Sequence, residues 1–175
     1  MKIRPQLVSP PQGSQIAERV PGSHFHDAWA VQAAHRELSA LGQFLYAAQK
    51  TPRWVDACMS IRNKVVKRLG LKDLGQLAAI SDAKPEHAYR VGDRVGIFTL
   101  FDIQPNEVLF GDRDKHLDVV LSVHTASVSP TSEVQVTVTT VVHVHNLLGR
   151  LYMIPVAPMH RIIAPAVVAN VGNAA

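Results

Sequence analysis

Apolar and polar residues alternate along much of the second half of the chain, a period of two that is typical of β-strands. Residues 116–128 and 133–145 show it most clearly, the second with valines on one face and mainly threonine, glutamine and histidine on the other. Residues 94–103 are apolar on both faces and predict a central strand, which residues 107–111 follow in the return direction. Short turns join these segments, the last at residues 129–132, so we predict an antiparallel meander.

The first half of the chain changes to helical spacing after a predicted strand at residues 24–33. Leucines and alanines recur at three- and four-residue intervals in residues 37–48, which predicts a short amphipathic helix. A second helix is predicted from Pro52 to Leu69, begun by Thr51 and stopped by Gly70. We expect one stripe of this helix to be buried: Trp54, Cys58, Ile61, Val65 and Leu69.

A long apolar segment, residues 147–171, closes the chain and predicts a helix bent at Pro155, Pro158 and Pro165. A sheet with one apolar face must bury that face, and this helix is the element long enough to cover it. The sequence therefore predicts an α+β helix-grip fold, in which a curved antiparallel sheet wraps around the C-terminal helix. We expect residues 1–22 to form an irregular leader, residues 23–171 a single domain, and residues 172–175 a tail.

Composition narrows the class of protein. With 175 residues, 47% hydrophobic and 18% charged, the chain is in the range of one globular domain and outside that of disordered chains. The single cysteine, Cys58, leaves no intrachain disulfide or cysteine-built metal site, and it is expected to be an inert buried thiol. The net charge is +4, but a solvated helix face explains the basic cluster at residues 50–68, so no nucleic-acid partner is expected.

Several motifs taken in order resemble a bacterial family known as domain of unknown function 2867. They are PRWV (52–55), IRN (61–63), RVGDRVG (90–96), DKHLD (114–118), TTVVHVHNLLGRLY (139–152) and PMHR (158–161). The resemblance covers roughly residues 23–171 and implies a START-like helix-grip fold. It implies no established activity, so function has to be argued from the residues.

Histidines and carboxylates on the predicted strands are the candidates for catalysis. His116 and Asp118 share one parity with Asp112 and Asp114, and His143 shares one with His145. A carboxylate beside an imidazole would suit acid–base chemistry. The alternative is a charged strand edge that discourages aggregation.

The histidine pair His143 and His145 could also be half of a metal site, completed by His116, Asp118 or His124. Polar neighbours on the same face favour solvent-facing side chains instead. We therefore predict no bound metal and no cofactor.

Four residues on or near the C-terminal helix are candidates for ligand binding: Arg150, Tyr152, His160 and Arg161. In a helix-grip fold one side of this helix faces a cavity, where such groups would hold the polar end of a bound molecule. Alternatively, the arginines pair with strand carboxylates such as Asp93 and Asp102, and Tyr152 belongs to the core.

The leading hypothesis is a protein that binds a small apolar or amphipathic molecule between sheet and helix. The alternatives are a lyase, cyclase or hydrolase on the same scaffold, without a metal, and an interaction domain without a cavity. No signal peptide begins the chain, and charged residues and prolines interrupt its longest apolar stretch. We expect a cytoplasmic protein without a membrane span, possibly a homodimer.

Overall fold

The computed structural model describes residues 4–68, 84–128 and 133–173, with the backbone alone for residues 65–68. Its strands are β1 (Gln6–Leu7), β2 (Phe25–Gln32), β3 (Arg94–Val95), β4 (Phe98–Ile103), β5 (Glu107–Arg113), β6 (Leu117–Ser127) and β7 (Val134–Val144). Its helices are α1 (Ala40–Gln49), α2 (Arg53–Arg68) and α3 (Leu147–Gly172). The predicted helix stop at Gly70, the end of the buried stripe at Val65 and Leu69, and the turn at residues 129–132 lie outside the described residues and side chains.

The seven strands form one antiparallel sheet in the order β1-β2-β7-β6-β5-β4-β3. The long strands β6 and β7 pair over their whole length, from Leu117 opposite Val144 to Ser127 opposite Val134. Helices α1 and α2 lie between β2 and β3 in the chain, and α3 follows the last strand. The α+β helix-grip prediction is confirmed, with the inserted helices where the pattern placed them.

The predicted strand at residues 94–103 is two strands. Gly96 has a φ of 58°, a left-handed conformation that ends β3 and turns the chain back into β4. Thr99 therefore lies opposite Arg94, and β3 becomes the edge of the sheet. Apolar residues on both faces indicated a central strand, and that prediction was wrong because they belong to a hairpin at the edge.

The N-terminal leader packs on the outer face of the sheet. Its strand β1 extends the sheet beside β2, and Ile16 is completely buried against Leu109, Val120 and Val141. The buried carboxylate of Glu107 accepts hydrogen bonds from the backbone N–H of Gln15 (2.7 Å) and of Ile16 (3.3 Å). The leader is therefore held in place by the sheet, on the side opposite α3.

The main core lies on the inner face of the sheet, under α1 and the C-terminal end of α3. Phe110 of β5 is completely buried and stacks on Phe44 of α1, with ring centroids 4.1 Å apart. Val168 and Val171 of α3 are 3% and 2% exposed and complete this core. The apolar alternation of β6 and β7 thus has the expected result of one face turned toward α3.

The predicted phase of α2 was wrong. Among the side chains of this helix that the structure describes, Val55 is completely buried, whereas Trp54 is 43% and Ile61 64% exposed. Cys58, Ile61 and Arg62 line a cavity beneath the helix, although Ile61 is largely exposed and Cys58 is only half-buried. The helix carries apolar residues on two sides, so the spacing alone did not identify the side that is buried.

Hydrogen bonds fix both ends of α3. Asn146 caps its first turn, where the Asn146 side chain accepts from the Gly149 N–H at 3.1 Å. At its last turn, Asn170 donates to the carbonyls of Ala47 (3.2 Å) and Lys50 (2.9 Å) on and beside α1. The helix continues through Pro155, Pro158 and Pro165 without interruption, and between its anchored ends it spans the inner face of the sheet.

Candidate functional site: a cavity between the sheet and the C-terminal helix

A cavity of about 690 Å³ separates the inner face of the sheet from α3. Its floor is apolar, built from inward-facing positions of β2, β6 and β7: Phe25, Trp29, Leu117, Val119, Leu121, Val123, Val138 and Val142. Its roof is the inner side of α3, including Leu148, Val156, Ile163 and Val167, with α1 and α2 closing the sides. The volume is within the range of sites that hold small molecules, about 300–1,000 Å³.

A carboxylate–imidazole pair lies at the middle of α3. His160 lines the cavity, and its Nε2 lies 3.1 Å from Oδ1 of Asp27 on β2. The Asp27 side chain is only 6% exposed, and its other oxygen accepts from Trp29 Nε1 at 3.0 Å. The Phe25 ring meets the imidazole edge-on at 5.4 Å between centroids. Asp27 therefore fixes the orientation of the His160 ring from behind, and the ring faces the cavity.

A second polar contact joins α2 to α3 across the cavity. Arg62 Nε donates to the Tyr152 hydroxyl at 2.8 Å, and the guanidinium also lies near the face of that ring, 5.4 Å from its centroid. Both side chains line the cavity and are half-buried. Tyr152 was a candidate for ligand binding, and the structure places its hydroxyl beside a cation at the cavity wall.

Gln43 of α1 presents an unusual buried acceptor. The side chain is completely buried and lines the cavity, and its Nε2 donates to the His35 carbonyl at 2.6 Å. Its Oε1 has no hydrogen-bond partner within the described part of the chain. A buried carbonyl oxygen without a donor costs free energy, about 1–3 kcal/mol, which a hydroxyl or amide donor of a bound molecule would recover.

A fourth polar group lies where α3 begins. Asp112, Asp114 and His116 line this end of the cavity, around the turn that joins β5 to β6. The Asn146 side-chain amide lies 3.0 Å from His116 Nδ1, and Asp112 lies 3.9 Å from Arg94. Most of the polar groups of this cavity end are thus already engaged with the protein.

The four candidate catalytic residues do not form one group, because Asp118, His143 and His145 lie together on the outer face of the sheet and His116 lies apart from them at the cavity. Asp118 lies opposite both Arg113 and His143 in the sheet and faces outward with them, because the turn at residues 114–116 interrupts the alternation. His116 alone of the four lines the cavity. The prediction that Asp118 shares a face with Asp112 and His116 was therefore wrong.

His143 and His145 project from the outer face, as a shared parity requires. His143 Nε2 lies 2.9 Å from the carbonyl oxygen of Arg19 in the leader, and His145 Nε2 lies 3.3 Å from Asp118 Oδ1. Within the described ranges, no group of three or more His, Cys, Asp or Glu side chains is arranged to hold a metal ion. The pair serves contacts at the leader and the strand edge, and the absence of a bound metal stays a prediction.

The two arginines among the candidate ligand-binding residues are solvent-exposed. Neither Arg150 nor Arg161 lines the cavity, although Arg161 lies 5.9 Å from the centroid of the Phe25 ring. The pairing considered with Asp93 and Asp102 was wrong. Lys84 donates to Asp93 at 2.6 Å and is the main cause that lowers the pKa of that carboxyl, with the Arg90 backbone N–H second.

Sequence reasoning missed Asp27 and Gln43. Asp27 shares the parity of Phe25 and Trp29, so a charged residue on an otherwise apolar strand face was a visible signal. Its partner is 133 positions away, and only the assembled fold pairs them. Gln43 carried a weaker signal, as a single polar residue on the buried side of a short helix.

Comparison with known families agrees with the motifs. The sequence model of a family described as "Protein of unknown function (DUF2867)" matches residues 19–167. The chain belongs to this family. No curated protein and no solved structure gives a significant match. The family description assigns no activity, so the cavity and its polar groups carry the functional argument.

Proposed function

We propose that this DUF2867 protein binds a small, largely apolar molecule in the cavity between the sheet and α3. The observation that carries the proposal is a cavity of about 690 Å³ whose walls are mostly Val, Leu, Ile and Phe. Water fills such a space poorly, because each buried water needs two to four polar partners. An apolar molecule would instead exchange its hydration for contacts with the floor and roof.

The polar groups of the cavity define which end of the ligand is polar. His160, held by Asp27, and the unpartnered oxygen of Gln43 lie at different points along an otherwise apolar wall. A ligand with a hydroxyl or amide group would donate to Gln43 and exchange a hydrogen bond with His160. This favours an amphipathic ligand over a pure hydrocarbon, since buried polar groups discriminate strongly against molecules that leave them unpaired.

Binding of the neutral dye N-phenyl-1-naphthylamine tests the proposal. We expect saturable binding at one site per chain, with energy transfer from Trp29, which lines the cavity. Ala164→Trp would fill the cavity from the roof and should weaken binding at least about tenfold by overlap with the dye. Ala57→Trp is the matched control, because Ala57 is exposed on α2 and outside the cavity.

Both variants must first show cooperative thermal melts. If the wild-type chain does not bind the dye, or if Ala164→Trp binds it as tightly as Ala57→Trp, the cavity is not the binding site. Native mass spectrometry of the purified protein gives a second readout, a retained ligand that the Ala164→Trp variant no longer carries.

A second function, an enzyme on the same scaffold, is favoured by the Asp27–His160 pair. If His160 donates its Nε2 proton to Asp27, its Nδ1 is an acceptor that can take a proton from a bound water or hydroxyl. Such proton transfer contributes about 10²–10⁴-fold to a rate. Hydrolysis of 4-nitrophenyl octanoate tests this: His160→Gln and Asp27→Asn should both lose the activity, and equal rates in wild type and variants would eliminate the enzyme.

A further inference from the structure

One side of α3 is apolar and exposed, and it faces away from the cavity except at Leu151, which also lines the cavity. Leu147 is 70%, Leu151 54%, Ile154 70% and Ile162 59% exposed. Together with Pro158 they recur every three or four residues and form one face, here called the outer stripe. Soluble proteins rarely expose a continuous apolar stripe of this length, and such patches mark interaction sites.

Helix α2, which lines the same cavity as α3, also exposes large apolar side chains. Trp54 (43%) and Ile61 (64%) are exposed on it, and the hydrogen bond from Arg62 to Tyr152 joins α2 to α3. Most of the large apolar side chains that are exposed in the described part of the chain belong to these two helices. The surface is therefore a property of the α2–α3 side of the protein and not a scatter of single residues.

Basic side chains border this surface. Arg150 and Arg161 are exposed along one edge of the outer stripe, and Arg53 and Lys64 are exposed on α2. The sequence of α3 contains no acidic residue, and α2 contains one, Asp56, whose Oδ1 is buried. Apolar residues and a tryptophan with a basic border are the composition of helices that lie in the interface of anionic membranes.

The same features disfavour two other occupants. A two-fold contact with a second copy would bring the same four cations to the interface from both sides. Within the described ranges, α3 is the one helix that is long and apolar enough to cross a membrane, and 6% of its most apolar stretch is buried. A membrane-spanning position nevertheless fits the fold poorly. The last turn of α3 is fixed in the core by Val168 and Val171, and the inner side of the helix roofs the cavity.

We propose that the α2–α3 surface docks on an anionic lipid membrane, with α3 lying parallel to the membrane plane. The outer stripe and Trp54 enter the headgroup region, and the four basic side chains contact lipid phosphates. The proposal goes beyond ligand binding and does not depend on it, because the docking residues are chiefly those outside the cavity. Docking would bring the cavity roof next to a source of amphipathic molecules.

Co-sedimentation with large unilamellar vesicles tests the proposal. We expect binding to vesicles of phosphatidylcholine and phosphatidylglycerol in equal parts, and at least about tenfold weaker binding to phosphatidylcholine alone. About 1 M salt, where the Debye length is about 3 Å, should reverse much of the binding. In a Trp29→Phe background, Trp54 is the single tryptophan left, and its emission should shift to the blue on binding.

The decisive variant is Leu147→Asp/Ile154→Asp, which places two charges in the outer stripe at positions outside the cavity and should weaken vesicle binding at least about tenfold. The matched control is Val91→Asp/Ile103→Asp, with the same charge change at exposed apolar positions outside α2 and α3. Cooperative melting and binding of N-phenyl-1-naphthylamine check that both variants fold and keep the cavity.

Three outcomes would overturn docking: no vesicle binding by the wild type, equal binding to both lipid compositions, or equal binding by the two double variants. A homodimer in light scattering that Leu147→Asp/Ile154→Asp converts to monomer, without vesicle binding, would assign the surface to a second copy instead. Dye binding with no vesicle binding would leave the cavity proposal standing and remove this one. Vesicle binding without dye binding would leave the docking proposal standing and remove the cavity proposal.

Discussion

The orientation of α3 predicts that two aliphatic residues on the same helix have unequal effects on stability. Val171 is 2% exposed in the core beneath the helix, whereas Ile154 is 70% exposed on its outer stripe. Replacing Val171 with alanine removes two buried methyl groups, about 0.8 kcal/mol each, and leaves a small cavity that adds to the loss. The higher helix propensity of alanine returns at most about 0.5 kcal/mol.

We therefore expect Val171→Ala to lower the free energy of unfolding by roughly 1.5–2.5 kcal/mol. Ile154→Ala removes a larger side chain but should stay within about 0.5 kcal/mol of wild type, because exposed side chains lose little on truncation. At about 2–4 °C per kcal/mol for a chain of this length, the two melting temperatures should differ by several degrees. The hydrogen bond from the Ala34 N–H to the Val171 carbonyl (2.9 Å) is kept in the variant.

Urea titration followed by circular dichroism measures both variants, and an unchanged m-value shows that the loss is one of native stability. Equal losses, or a larger loss at Ile154, would mean that α3 turns its outer stripe toward the sheet. Truncation after Asn146 is the extreme case. It removes Val168 and Val171 and uncovers the apolar inner face, so the shortened chain should aggregate.

Three further predictions concern α2, the leader and acid stability. Val55→Ala should cost roughly 1.5–3 kcal/mol in a urea titration and Ile61→Ala less than about 0.5, since Val55 is completely buried and Ile61 is 64% exposed. Glu107→Ala should cost at least about 3 kcal/mol, because three hydrogen-bond donors lose a buried acceptor, and protease should then cut the leader first. Hydrogen bonds from the side chains of Gln15, first, and Gln104, second, hold the pKa of Asp102 below its ordinary 3.8. The stability that this carboxylate contributes is therefore present above pH 3.8 and is lost as the pH falls through its lower folded-state pKa. Asp102→Asn should slightly flatten this part of an acid titration of stability.

The strands were predictable because residues that alternate with a period of two form a strand, and the apolar residues identify the face of that strand that is buried. Residues 24–33 and 133–145 were predicted as strands, and the structure has Phe25–Gln32 and Val134–Val144. The hairpin at Gly96 was not predicted, because apolar residues on both sides of a tight turn have the same pattern as a continuous buried strand. The left-handed conformation of a glycine distinguishes a hairpin from a continuous strand. The sequence alone does not show that conformation, because glycine also occurs inside strands.

The site was predictable only in part. Arg150, Tyr152, His160 and Arg161 were candidates for the cavity side of the last helix because a helix-grip fold needs one inward face, and Tyr152 and His160 line the cavity whereas the two arginines do not. Asp118 was misplaced because parity was carried through a turn, where alternation does not hold. The contact between Asp27 and His160 depends on the position of β2 beneath α3. The local sequence pattern of either element does not determine that position.

Helix α3 shows why a sequence with apolar residues on two sides is hard to interpret. Periodicity identifies an amphipathic helix by its polar side, and α3 has little polar side to identify. Pro155, Pro158 and Pro165 add a second constraint, since each lacks the N–H that would bond the carbonyl four residues earlier. Two of those carbonyls belong to Leu151 and Ile154, at exposed positions where other donors can reach them.

A helix serving only as core would gain nothing from three prolines or from an exposed apolar stripe. Both features lie between the anchored ends of α3, in the segment that also roofs the cavity. Each proline removes one helical N–H donor from that segment, whereas the Asn170 side chain and the buried valines hold the last turn. The proposed ligand beneath α3 and the proposed membrane above it would account for both features, which the stability of the fold alone does not require.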